Sequence, residues 1–103
     1  MERLTCVIPF WNGHATLLAL LASIPRDLPV VVVNDAESVP PERECANYAN
    51  VRLVNLERRG YFSGACNAGF AEAGTDDVLV LNQDGALMPG WEQALAERER
   101  YGL

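Results

Sequence analysis

Four short aliphatic runs recur along this chain: Leu4 to Ile8, Pro29 to Val33, Val51 to Leu56 and Val78 to Leu81. They are rich in valine, leucine and isoleucine and largely continuous rather than strictly alternating, and strands of that kind must be covered on both faces. A parallel sheet between helices meets that demand, and the intervening segments supply the helices. The first begins after Asn12-Gly13, carries Leu17, Leu18, Leu20, Leu21 and Ile24, and is stopped by Pro25. A weaker second spans roughly Pro41 to Tyr48, and a third starts at Ser63 as N-cap and stops at Gly74. A fourth begins near Pro89-Gly90 and ends at Gly102, with Trp91 and Leu95 one turn apart as its core face. Strict alternation of strand and helix predicts an α/β fold, an open and mostly parallel sheet of about four strands with right-handed crossovers.

At 103 residues the chain holds one modest core, so it is read as a single domain over 1–103. The net charge is −6 and all eight basic residues are scattered arginines, which argues against nucleic acid or an anionic membrane as a partner. Cys6, Cys45 and Cys66 lack a Cys-x-x-Cys spacing and read as free thiols of a reducing compartment. No leader is visible at Met1 to Thr5, and the apolar stretch Ala15 to Ala22 is too short to span a bilayer, so a cytoplasmic location is expected. The first helix is apolar around most of its circumference. Part of residues 15–24 is therefore expected to meet a second copy or a missing C-terminal half.

Ligands of open parallel sheets bind beyond the carboxyl ends of the strands. The segments there are Pro9-Phe10-Trp11-Asn12-Gly13, Asn34-Asp35-Ala36-Glu37-Ser38, Arg58-Arg59-Gly60-Tyr61-Phe62-Ser63-Gly64 and Asn82-Gln83-Asp84-Gly85. Asp35 and Asp84 directly follow strands, where a carboxylate either meets a ribose, a base edge or a metal, or only caps a turn. The stretch Gly60 to Gly69 lets backbone approach a ligand or the sheet closely, and it opens a helix whose N-terminus favours anions. Its spacing is not that of a Rossmann fingerprint, and without any lysine there is no P-loop. A receiver-like domain is disfavoured for lack of the acidic cluster with a later lysine. Exposed turn arginines such as Arg58 and Arg59 read as solvated. The lone His14 reads as a helix-start surface residue, and Asp76-Asp77 as the turn leading into the fourth strand.

Taken in order, Val7-Ile8-Pro9-Phe10-Trp11-Asn12-Gly13, Val30 to Asp35, Gly60 to Gly69, and Leu81-Asn82-Gln83-Asp84 with Pro89-Gly90 resemble the GT-A glycosyltransferases of the inverting family two. The branch that includes bacterial rhamnosyltransferases is the most similar. The resemblance covers nearly the whole chain and implies a Rossmann-like nucleotide-binding half whose donor is a nucleotide-diphosphate sugar. By it, Pro9, Trp11 and Asn12 line the nucleoside pocket, Asp35 contacts base or ribose, and Asn67 supports the site from the third helix. Asp84 holds Mg²⁺ or Mn²⁺ and the diphosphate, with Asn82 at the family's first-aspartate position, where an amide brings an oxygen but no charge. Cys66 stands where arginine is frequent in the family, and Arg58 or Arg59 is the alternative source of that phosphate contact if not merely solvated. The general base would belong to a second half that this sequence does not reach, so the catalytic residues are not assigned. The rival expectation is a non-catalytic half-domain that binds nucleotide or dimerises. A peripheral position at the inner membrane is compatible with either.

Overall fold

The structure, a computed structural model, describes residues 4–83 together with 85 and 93. The fourth helix expected from Pro89 to Gly102, with Trp91 in its core face, lies outside the described residues. The elements are β1 (Leu4–Phe10), α1 (His14–Ser23), β2 (Val30–Asn34), α2 (Glu42–Ala46), β3 (Val51–Asn55), α3 (Tyr61–Ala73) and β4 (Asp77–Val80). All strand pairs are parallel and the order is β3-β2-β1-β4, which is the Rossmann-like half expected from the sequence.

Side-chain alternation in β1 and β2 divides the core into two layers. Leu4, Cys6, Ile8, Phe10, Val30 and Val32 face Leu17, Leu20, Leu21 and Ile24 of the α1 segment and Cys45 of α2. On the reverse face, Val7, Val31 and Val33 meet Ala65 of α3. The continuous apolar runs are thus explained, because both faces of the two central strands are covered. Here α3 comes so close that a Cβ on Gly69 would stand 2.3 Å from Cγ1 of Val7. Part of the glycine-rich stretch therefore serves helix-to-sheet packing rather than a ligand.

The α1 leucines at 17, 20 and 21 are covered by the chain's own sheet, and of the helix's leucines only Leu18 stays open, at 39% exposure. Its other outward residues include Ala15, Ala19 and Ala22. The outer side of the helix is thus lined mainly by small residues, with Leu18 as its one large apolar side chain.

Element boundaries differ from the sequence reading by one to three residues, and two of the differences bear on the site. Strand β1 runs past Ile8 to Phe10, whose ring is fully buried and whose register partner is Asn34. Helix α3 starts at Tyr61, not Ser63, because its cap comes from elsewhere: the Asp35 carboxylate, reaching over from the end of β2, accepts the amides of Gly60 and Tyr61. Asp76 also does more than turn the chain, since it accepts a 2.8 Å hydrogen bond from the hydroxyl of Thr5 in β1.

The position of Pro9 bears on function. Alternate residues of a parallel strand direct their backbone groups to opposite neighbours. Cys6 donates toward β2 at Pro29, and Phe10 accepts on that same side from Asp35, whereas the carbonyl of Val7 accepts from Leu81 next to β4. Pro9 falls on the β4 side, where it has no N–H to give. The β1–β4 register accordingly ends at Val7 and Val80. Beyond it the strands part. Because β2 and β3 are added on one side of β1 and β4 on the other, this parting lies at the topological switch point, where open α/β sheets bind ligands.

Candidate functional site

Five side chains from the four post-strand loops converge at the carboxyl edge of the sheet: Trp11 after β1, Asp35 after β2, Arg59 and Tyr61 after β3, and Gln83 after β4. With Pro9, Phe10, Phe62 and Ala65 they line a cleft of about 180 Å³. That is below the roughly 300–1,000 Å³ of a whole-ligand pocket, so it takes one portion of a ligand, such as a ring.

Asp35 is the fixed point. It is only 3% exposed, and its Oδ1 accepts from the amides of Gly60 at 2.6 Å and Tyr61 at 3.2 Å. Its Oδ2 accepts from Nε of Arg59 at 3.2 Å. Burial of a carboxylate demands such partners, and the N-terminal amides of α3 supply both hydrogen bonds and a favourable dipole. The two sequence readings of Asp35 are thus compatible, as it caps a helix and also lines the cleft. Neighbouring Asn34, equally buried, closes the turn by accepting from the amide of Glu37 and donating to its carbonyl, and it donates to Asn55 at the end of β3.

Arg59 departs furthest from expectation. Instead of extending into solvent, its guanidinium lies 3.6 Å from the centre of the Trp11 ring and 4.4 Å from that of Tyr61 while paired with Asp35. Its side chain is 35% exposed. The planar cation stacks on aromatic faces and satisfies the acid together, which a lysine could not do. Only three-dimensional proximity of Trp11, Asp35 and Tyr61 makes this arrangement, and no local sequence signal announces it. Arg58 is exposed, as expected.

Among the described residues, three non-glycine residues adopt left-handed backbone: Asn12 at φ 50, Ala36 at φ 63 and Tyr61 at φ 57. Each follows a different strand at this same edge. Outliers of this sort cost of order 1–3 kcal/mol each and persist where the surroundings over-determine them, most often at functional sites.

Of the residues assigned by resemblance, Pro9, Trp11 and Asp35 lie together in the cleft wall. Asn12 is exposed in the adjoining loop, where its carbonyl accepts from the side chain of Gln83. Asn67 is exposed on α3 and is not part of the cleft wall. Asn82 is exposed at the end of β4, its carbonyl accepting from Gly85 at 2.9 Å, and Asp84 lies outside the described residues. Among the described residues no group of three or more His, Cys, Asp or Glu converges as a metal site. Asn82 offers a single neutral oxygen, and both oxygens of Asp35 are engaged. A hard divalent cation here would thus depend on Asp84 and ligand phosphates. His14 sits beside the site without entering it: its Nε2 lies 2.8 Å from the carbonyl of Val39, to which it donates, and its ring meets Phe10 edge-on.

The cysteines take no part in the cleft. All three are free and buried. Burial pushes the Cys6 thiol up to about 12, and burial followed by the charge of Glu44 pushes Cys45 up to about 11. Cys66 is also raised by burial. None is a thiolate nucleophile near neutral pH.

An all-parallel sheet with a polar and aromatic cleft at its switch point defines a Rossmann-like unit. Comparison with known proteins gives it a family: residues 5–100 match Glycosyl transferase family 2, and the chain belongs to that family. It is 32% identical over 100 residues to the uncharacterized glycosyltransferase YwdF of Bacillus subtilis (strain 168), covering 92% of this chain and 37% of that relative. The chain thus spans little more than a third of the length of this curated relative. No described helix is long and apolar enough to cross a membrane.

Proposed function

We propose that residues 1–103 form the donor-binding half of a glycosyl transferase catalytic domain and bind a nucleotide-diphosphate sugar at the β1–β4 switch point. The observation that carries this reading is the convergence of Trp11, Asp35, Arg59, Tyr61 and Gln83 from four separate loops into one cleft. The base occupies the aromatic end, near Trp11, with Pro9 and Asn12 in the supporting loop and Asp35 offering its carboxylate to base or ribose. Asp84, with Asn82, would hold Mg²⁺ or Mn²⁺, which would supply charge neutralisation for the diphosphate. Asn67 acts on the site from α3 at a distance. The Asn82-Gln83-Asp84 form supports the rhamnosyltransferase-like branch.

Inverting transfer requires a base that takes the proton of an acceptor hydroxyl as its oxygen attacks the anomeric carbon and the nucleoside diphosphate departs. In this reading a further half of the domain supplies that base and the acceptor site. Three free, buried thiols support a cytoplasmic location.

The test is thermal denaturation with UDP, GDP, dTDP and CDP, each with and without Mn²⁺. Ligands that bind the native state raise the melting temperature by mass action. At least one diphosphate is expected to raise it, more so with metal, and Asp84→Ala is expected to remove the metal-dependent part. Absence of any shift refutes the reading.

A further inference from the structure

The side chain of Gln83 spans the gap that Pro9 opens. Its Oε1 accepts the backbone N–H of Trp11 at 2.7 Å, and its Nε2 donates to the carbonyl of Asn12. The loop after β4 is thereby tied to the loop after β1 across the switch point. We propose that Gln83 is a positioning residue for the donor base, holding Trp11 in the pose that presents its indole to the cleft.

Three observations support this. Trp11 is 38% exposed, so packing alone does not fix its ring, and a preorganised site needs a second support. The Asn12-Gly13 pair is left-handed, at φ 50 and φ 81, and a Cβ on Gly13 would stand 2.6 Å from Nε2 of Gln83, so the loop is shaped around that amide. Finally, the tie needs one acceptor and one donor in a single planar group, which a carboxamide supplies and an ionised carboxylate or a thioether does not. As the middle residue of Asn82-Gln83-Asp84, Gln83 joins the base end of the site to its diphosphate end.

For its ligand this inference rests on the nucleotide reading; for its geometry it rests on the two hydrogen bonds. The experiment compares wild type with Gln83→Met, Trp11→Ala and the double variant in the whole chain, using UDP, GDP, CDP and dTDP without metal as probes. In Gln83→Met the Trp11 amide is expected to exchange its hydrogen about tenfold faster, and the Kd of the best-bound diphosphate to rise about tenfold, as loss of one or two hydrogen bonds implies. In the Trp11→Ala background the same Gln83→Met change is expected to leave Kd nearly unaltered, because Gln83 acts on the base through Trp11. A purely structural role for Gln83 would instead raise Kd by the same factor in both backgrounds. Unchanged Trp11 exchange and unchanged Kd in Gln83→Met, or equal effects of Gln83→Met with and without Trp11, overturn the proposal. If wild type binds none of the diphosphates, the nucleotide reading fails, and Trp11 exchange alone then decides whether the tie exists.

Discussion

The two faces of the sheet are packed by opposite means. On one, α1 presents Leu17, Leu20 and Leu21 to Phe10, Ile8 and Val32, so contact is made by large side chains reaching across a wide gap. On the other, α3 presents Ala65 and Gly69, and contact is made by bringing the helix backbone nearly onto Val7. The difference bears on function. The close face sets the start of α3 at the carboxyl edge of β2, within reach of Asp35, and from there Arg59 and Tyr61 enter the cleft. The wide face supplies most of the apolar burial.

If that contrast is right, substitutions should respond to it in kind. Truncation on the wide face should cost most: Leu20→Ala is expected to lower unfolding free energy by about 2–5 kcal/mol, and Phe10→Ala by about 3–5 kcal/mol, read from denaturant midpoints. On the close face the damaging change is enlargement. Gly69→Ala is expected to cost about 1–3 kcal/mol, because the added methyl meets Val7 from 2.3 Å. Gly64, in the same helix, has nothing within 4 Å of an added Cβ, so Gly64→Ala is expected to stabilise by up to about 1 kcal/mol. Equal effects at Gly64 and Gly69 would break the comparison.

The smallest expected effect is the pH dependence contributed by Cys6 in the wide face. Its ordinary pKa is 9.0 and its folded value about 12, so the unfolded chain loses this proton first as pH rises. The neutral thiol costs nothing below the ordinary value. Stability should therefore be indifferent to Cys6 below about pH 9 and decline above it. Cys6→Ala should flatten that decline in midpoints measured between pH 8 and 10.5.

Much of the fold was readable from the chain because its signals are local. Continuous valine runs announce strands buried on both faces, and Pro25 and Gly74 mark helix ends. Ser63 misled because the cap of α3 is a carboxylate that arrives from a different strand, which no local pattern encodes. The candidate site was legible to the extent that it follows from topology: Trp11 and Asp35 directly follow strands and line one cleft. Arg59 was weighed only as a phosphate contact or a solvated turn residue and Gln83 was given no role, for a shared reason: each finds its place only through partners at least 24 residues away, Asp35 for one and Trp11 and Asn12 for the other. An arginine in a turn and a glutamine between two more conspicuous residues look ordinary until the loops are brought together.

The central claim is that the cleft at the switch point is the donor site, and the most direct test maps binding residue by residue. In a titration of the ¹⁵N-labelled chain with the nucleoside diphosphate that raises its melting temperature most, the amides of Trp11, Asp35, Gly60, Tyr61 and Gln83 are expected to shift together with one Kd. Asp35→Asn should weaken that binding. Shifts confined to α2 and β3, or no saturable shift with any nucleoside diphosphate, would contradict the claim.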